Sequence, residues 1–110
     1  LNTYLEAIAT AVKFGIKKNF LINAIDQATT GKNHPYFKKI KDGILMKNYN
    51  SGFTLNLLTK DVHIANNLIK KYVKNATVSS NILKLLKKSK KKLGKNSDQL
   101  KLYKMWSNTI

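Results

Sequence analysis

The feature that most constrains the fold is a lysine-rich stretch, 77–95, in which apolar residues recur at helical spacing. Its apolar positions are Val78, Ile82, Leu85, Leu86 and Leu93. Thr77, Ser79 or Ser80 can cap the start of a helix here, because a side-chain oxygen can accept a hydrogen bond from the first turn. Gly94 can end the helix in a left-handed conformation. The stretch therefore predicts an amphipathic helix that packs by its apolar side.

Apolar residues recur at helical spacing in much of the remaining chain as well. Two helices are predicted within 2–14 and 17–30, and Gly15 is either the turn between them or an internal glycine. A short helix is predicted over 35–41, with proline in its first turn and Gly43 to close it.

The pattern changes between residues 44 and 58. Apolar residues alternate over 53–57, after a turn-forming sequence at 49–52, which predicts a small β-hairpin near residues 44–58. The alternative is a further helix with a loop at 48–52.

Two more helices are predicted on either side of the lysine-rich one. Thr59 or Asp61 can cap a helix that runs to about Lys74. Its predicted apolar face consists of Val62, Ala65, Leu68 or Ile69, Tyr72 and Val73. The sequence at 96–98 can cap a last helix that reaches Ile110.

These patterns together predict a mainly α fold, with five or six short helices around one core and the small hairpin as its one β element. A chain of 110 residues is long enough for a single domain, 1–110. Because it starts at Leu1 rather than at a methionine, we expect it to be a fragment of a longer chain.

The charge of the chain indicates its partners. It has 21 basic residues, all of them lysine, and five carboxylates, for a net charge of +16. Such a surplus attracts polyanions, among which nucleic acid is the commonest partner, an anionic membrane the next and an acidic protein the third. We expect nucleic acid as the partner, with RNA favoured by the chemistry described next, and we do not expect a membrane. Lysine acts as a point charge suited to phosphates, whereas the bidentate arginine contact to guanine is excluded. Affinity is then expected to depend on salt more than on base sequence.

His63 is the residue that most strongly suggests catalysis. The side chains that share its predicted helix face, or precede it by one turn or less, are Lys60, Asp61, Asn67, Lys70 and Lys74. An imidazole among lysines suits metal-independent RNA cleavage, in which a base removes the 2′-hydroxyl proton and a lysine stabilises the charged intermediate. We therefore predict His63, Lys60 and Asp61 as catalytic residues; the alternative is a solvated surface histidine.

His34 is the second candidate acid or base, in a loop where functional residues concentrate. The alternative is that it only helps to start the helix beside Pro35. The predicted nucleic-acid contacts are Tyr36, Lys38, Asn67, Lys70, Lys74, Lys84, Lys88, Lys91 and Lys95. The five carboxylates are scattered singly and no phosphate-binding glycine loop is present, so we predict neither a metal site nor a cofactor.

Two other functions compete with RNA cleavage. The helix pair within 61–92 resembles a helix-turn-helix, which would make the chain a non-catalytic DNA-binding module, although its turn is too long and lacks glycine. A cationic amphipathic helix can also bind anionic lipid, although this one has a narrow aliphatic face without aromatic anchors.

The overall profile resembles the C-terminal toxin domains of bacterial contact-dependent inhibition and related polymorphic toxin systems. The features behind this resemblance are Leu1 as an internal-looking start, the charge of +16, and His63 within LTKDVHIANNLIKKYVK. The Val-Glu-Asn-Asn motif that precedes many such domains is absent. The resemblance implies a nuclease of tRNA or other RNA and an acidic immunity protein that blocks it. It also implies export, with action in the cytoplasm of a target bacterium.

Overall fold

A computed structural model describes residues 1–28, 37–72 and 75–107. These residues form six α-helices and one 3-10 helix, and within them no strand is present. The α-helices are α1 (Asn2–Phe14), α2 (Lys18–Gln27), α3 (Phe37–Met46), α4 (Leu55–Tyr72), α5 (Thr77–Leu93) and α6 (Lys104–Ser107), with the 3-10 helix Gln99–Tyr103 before α6. The predicted mainly α fold is confirmed.

The hairpin expected near residues 44–58 does not form. Residues 44–46 belong to α3 and residues 55–58 to α4, and in the segment between them an isolated antiparallel bridge joins Thr54 to Asp98. Helix formation prevails because the first turn of α4 finds partners for its amide groups. Leu57 N donates to the hydroxyl oxygen of Thr54 at 3.2 Å, and Leu58 N donates to the carbonyl oxygen of Thr54 at 3.0 Å. The alternative, a further helix with a loop at 48–52, describes this segment better, since the residues between α3 and α4 are 47–54.

The described chain divides into two compact units, Leu1–Ser51 with Leu100–Ile110, and Gly52–Gln99. The core of the first unit is apolar. Its buried residues are Leu5, Ile8, Ala9, Ile22, Phe37, Ile40, Ile44, Leu100, Leu102 and Tyr103. The prediction of a single domain stays a prediction.

Two glycines shape the first unit. Gly15 ends α1 with φ 115° and ψ 4°, so it is the turn between two helices. Gly43 was expected to close a short helix, but α3 continues through it to Met46. A Cβ at Gly43 would lie 3.1 Å from Leu100 Cδ1, so glycine allows a close approach of Leu100 to the helix.

The second unit consists mainly of α4 and α5, which run antiparallel. Asn66 on α4 donates from Nδ2 to the hydroxyl oxygens of Ser79 and Ser80, each at 2.9 Å. Near the other end of the pair, Lys90 Nζ donates to Asn56 Oδ1 at 3.1 Å. Residues 56 and 66 of α4, ten positions apart, therefore lie opposite residues 90 and 79–80 of α5. These contacts fix the register of the antiparallel pair.

The face by which α4 packs differs from the predicted one. Leu55, Thr59 and Asn66 are its buried residues, so two polar side chains lie on the inner face. The polar groups are accommodated because each has a hydrogen-bond partner; the Thr59 hydroxyl donates to the Leu55 carbonyl at 2.6 Å. Leu68 and Tyr72, expected in the core, are exposed.

Candidate functional site

The second unit contains an open cavity of about 280 Å³ between α4 and α5. Six residues line it: Asn56, Thr59, Lys60, His63, Lys87 and Lys90. Two of them, Lys60 and His63, were predicted from the sequence as catalytic residues, and the structure brings them together with two lysines of the neighbouring helix.

Helical spacing explains why four side chains of α4 reach the same cavity. Asn56, Thr59, Lys60 and His63 follow one another at intervals of three, one and three residues, so they lie along one side of the first turns of α4. Lys87 and Lys90, three residues apart on α5, lie opposite them because the helices are antiparallel. Two elements of secondary structure, rather than a loop, therefore position the site.

The cavity carries positive charge that no lining residue neutralises. Lys60, Lys87 and Lys90 contribute three ammonium groups, and none of the six lining residues is a carboxylate. Lys90 is half-buried, and its ammonium group donates to the neutral amide oxygen of Asn56 at 3.1 Å. This contact orients the charge without cancelling it, so the cavity is suited to an anion.

His63 is exposed at the edge of this cavity. Its Nε2 atom lies 3.3 Å from Nδ2 of Asn67, one turn further along α4. If the amide donates, Nε2 accepts and the ring proton is on Nδ1, which leaves an N–H donor on the ring. His63 and Asn67 therefore lie on the same face of α4, as their spacing in the sequence predicts.

The other predicted site residues lie elsewhere. Asp61, Lys70 and four of the lysines predicted as nucleic-acid contacts are exposed and do not line the cavity. Of these four, Lys84, Lys88 and Lys91 lie on α5, and Lys95 follows its end. Lys38 belongs to α3 in the first unit. His34, Tyr36 and Lys74 lie outside the described residues, so a pairing of His34 with His63 stays a prediction.

Sequence reasoning missed Asn56, Thr59, Lys87 and Lys90 as members of the site. Asn56 was assigned to the expected hairpin and Thr59 to a helix cap, whereas the two lysines were missed because of the orientation assigned to α5. The sequence interpretation placed Ile82 and Leu85 in its apolar face with Leu86, whereas Leu83, Leu86 and Ser89 are the buried residues. Lys87 and Lys90 each follow a buried position by one residue, so the correct face would have placed them at its edge.

The helix-turn-helix interpretation of 61–92 is wrong. In that motif the second helix crosses the first steeply and is free to enter the major groove. Here α4 and α5 lie antiparallel along their length, joined by Asn66 at one end of the pair and by Lys90 near the other.

The first unit has a separate cluster of tyrosines and lysines. Lys18 Nζ lies 6.0 Å from the ring centre of Tyr103, and Lys104 Nζ lies 5.4 Å from that of Tyr49. Burial raises the pKa of both phenols, and for Tyr103 the charge of Tyr49 raises the pKa further. The lysines cover aromatic rings that help to close the core, a structural contact of moderate strength.

Comparison with known proteins overturns the functional interpretation of the sequence. The model of one family, described as NAD-binding of NADP-dependent 3-hydroxyisobutyrate dehydrogenase, matches residues 1–106. No curated protein and no solved structure matches the chain. The match covers nearly the whole sequence. The predictions of a nuclease toxin and of RNA binding are therefore wrong, and the resemblance to toxin domains does not reflect the family of this chain.

The two alternative functions fail as well, since the family match supports neither a DNA-binding module nor a membrane-active domain. In the part of the chain that the structure describes, no helix combines the length and apolarity that a bilayer crossing requires. The inference from the net charge to nucleic acid failed because lysines attract small anions as well as polyanions, so charge alone does not distinguish the two kinds of ligand.

Proposed function

The chain belongs to the family of NAD-binding domains of NADP-dependent 3-hydroxyisobutyrate dehydrogenases, and we propose that it is the helical domain of an NAD(P)-dependent dehydrogenase acting on a small 3-hydroxy acid. The observation that carries the proposal is the family match over residues 1–106. The prediction that the chain is part of an enzyme agrees with this family, whereas the more specific prediction of a metal-independent ribonuclease does not.

The cavity between α4 and α5 supports the proposal because both ligands of such an enzyme are anions. A nicotinamide dinucleotide carries phosphates and a hydroxy acid carries a carboxylate. Lys60, Lys87 and Lys90 supply positive charge at one place, and Asn56 and His63 add polar groups that can hydrogen-bond. These side chains would bind and orient an anionic group of the ligand.

The fit to a whole dinucleotide is only partial. The five glycines of the sequence do not form a G-x-G-x-x-G turn, and the described residues contain no strand to precede one. At about 280 Å³ the cavity is slightly smaller than the range of roughly 300–1,000 Å³ for small-molecule sites. We therefore assign to this chain one anionic group of the ligand rather than the complete cofactor.

When bound, the nicotinamide ring supplies the hydride chemistry of a dehydrogenase. The contribution of the residues in this chain is binding. Lys60 lies on the second turn of the long helix α4, which places its backbone beside the cavity.

The proposal is tested by NADP⁺ binding to the purified protein, measured by titration calorimetry in about 150 mM salt to screen unspecific attraction. We expect Lys60→Ala to weaken binding about tenfold, because a charge-assisted contact to the ligand is lost. Lys70→Ala is the matched control: the same charge is removed from an exposed position of the same helix, outside the cavity. Absence of NADP⁺ binding, or equal losses in both variants, would refute the proposal.

A further inference from the structure

We propose that the cavity between α4 and α5 is a site for a phosphate group, and that Lys87 and Lys90 select this dianion over a carboxylate. The inference rests on the proposed function, since it names the chemical group that the same cavity takes from a ligand of the dehydrogenase. It adds two residues of α5 that no sequence motif singles out.

The composition of the cavity favours a doubly charged ligand group. The lining includes three lysines from two helices, and none of the lining residues is acidic. A phosphate monoester carries a charge of about −1.5 to −2 at neutral pH and three acceptor oxygens. A carboxylate carries one charge and two oxygens, so it would leave more of the positive charge uncompensated.

The type of cation favours the same ligand. Planar carboxylates are recognised best by the fork of an arginine, and the chain has no arginine. Lysines act as compact point charges that can approach a tetrahedral group from several directions. Lys60 approaches from α4, while Lys87 and Lys90 approach from α5.

One of the three lysines is oriented before a ligand arrives. Asn56 Oδ1 accepts a hydrogen bond from Lys90 at 3.1 Å, so the ammonium group of this half-buried lysine is oriented. The backbone amides that open α4 are already used: Leu55 N donates to Ser97 O at 2.8 Å and Asn56 N to Lys95 O at 3.0 Å. An anion in the cavity must therefore be bound by side chains, although the positive end of the α4 dipole also favours it.

The test uses two pairs of ligands that differ by one phosphate monoester, NADP⁺ with NAD⁺ and 3-phosphoglycerate with glycerate, together with inorganic phosphate alone. The protein is compared with the double variant Lys87→Gln/Lys90→Gln. The control is Lys88→Gln/Lys91→Gln, which removes the same charge from adjacent exposed positions of α5. Circular dichroism verifies that all three proteins are folded, and amide NMR shifts on adding phosphate to the unaltered protein locate its site independently of the variants.

We expect inorganic phosphate to shift amides that border the cavity in α4 and α5. The phosphorylated member of one pair should bind about tenfold or more tightly than its partner. The Lys87/Lys90 variant should lose this preference, and the Lys88/Lys91 control should keep it within about twofold. A preference within the dinucleotide pair assigns the phosphate to the cofactor, and a preference within the glycerate pair assigns it to the substrate.

The inference is overturned if neither pair shows a preference, if both double variants lose it equally, or if phosphate shifts amides away from the cavity. Failure of the proposed function would look different: neither NAD⁺ nor NADP⁺ would bind, while phosphate still occupied the cavity. Equal binding of both dinucleotides without any effect of phosphate would refute the phosphate site and leave the proposed function intact.

Discussion

At Gly15 the backbone has φ 115° and ψ 4°, in the region that L-residues with a Cβ rarely adopt. Its amide donates to Val12 O at 3.1 Å, and the amide of Ile16 donates to Ala11 O at 3.1 Å, so the turn closes the end of α1. A Cβ here would meet no atom within 4 Å, so the cost of a side chain is conformational rather than steric. We expect Gly15→Ala to lower the free energy of unfolding by about 1 kcal/mol, measured by urea denaturation.

Gly15→Asn is the informative companion variant. Asparagine tolerates a positive φ better than alanine, so it should lose less stability at the same position. An alanine variant that is as stable as the unaltered protein, or less affected than the asparagine variant, would show that the turn can relax to a negative φ.

At the scale of elements, the junction of α4 and α5 depends on one buried amide. Asn66 is 1% exposed, and its Nδ2 atom donates to the hydroxyl oxygens of Ser79 and Ser80. We expect Asn66→Ala to lower the free energy of unfolding by about 1–3 kcal/mol, because it leaves a small void and removes a donor from two partly buried hydroxyls. The change is measured by chemical denaturation followed by circular dichroism.

The neighbouring exposed residue provides the control. Asn67→Ala removes only a contact to His63 at the surface, so its effect should stay within about 0.5 kcal/mol. Replacing both sides of the junction, with Asn66→Leu and alanine at positions 79 and 80, should be less destabilising than Asn66→Leu alone, because no polar group then lacks a partner. If the combined variant is the less stable one, the hydrogen bonds are not what joins the helices.

The bounds of the helices could be predicted better than the faces by which they pack. The lysine-rich helix was expected from residue 77, with Gly94 as its end, and α5 spans Thr77–Leu93 with φ 95° at Gly94. Local signals are sufficient here, since spacing, caps and glycine act within one element. The face of α4 depends on its partner, and Asn66 is buried only because Ser79 and Ser80 lie opposite it.

The candidate site could be predicted only in part for the same reason. His63 and Lys60 are close in sequence and lie on one helix, so helical spacing alone brings them together. Lys87 joins them across the helix pair, which requires knowledge of the register of α4 against α5. The hairpin expectation failed because the amides of Leu55 and Asn56 are satisfied by carbonyls more than 35 residues away along the chain.

At the scale of the whole molecule, the charge of +16 has a consequence for stability that is independent of any ligand. Lys41 and Asp26 form an ion pair at 3.6 Å, but the chain has 21 lysines and only five carboxylates, so most lysines have no carboxylate to neutralise them. Raising NaCl from about 0.01 M to 1 M shortens the screening length from about 30 Å to about 3 Å. Since self-repulsion disfavours the compact state, we expect the salt to stabilise the fold by about 1 kcal/mol, a rise in Tm of about 4–8 °C.

The control is the variant Lys88→Glu/Lys91→Glu, in which each substitution changes the charge by two and the net charge falls from +16 to about +12. Both positions are exposed and lie outside the cavity, so packing and the proposed anion site stay unchanged. This variant should have a higher Tm at low salt and a smaller rise with NaCl, measured by thermal denaturation at pH 7. A Tm that stays constant or falls with salt, or an equal rise in both proteins, would mean that the lysines are spaced widely enough for solvent alone to screen them.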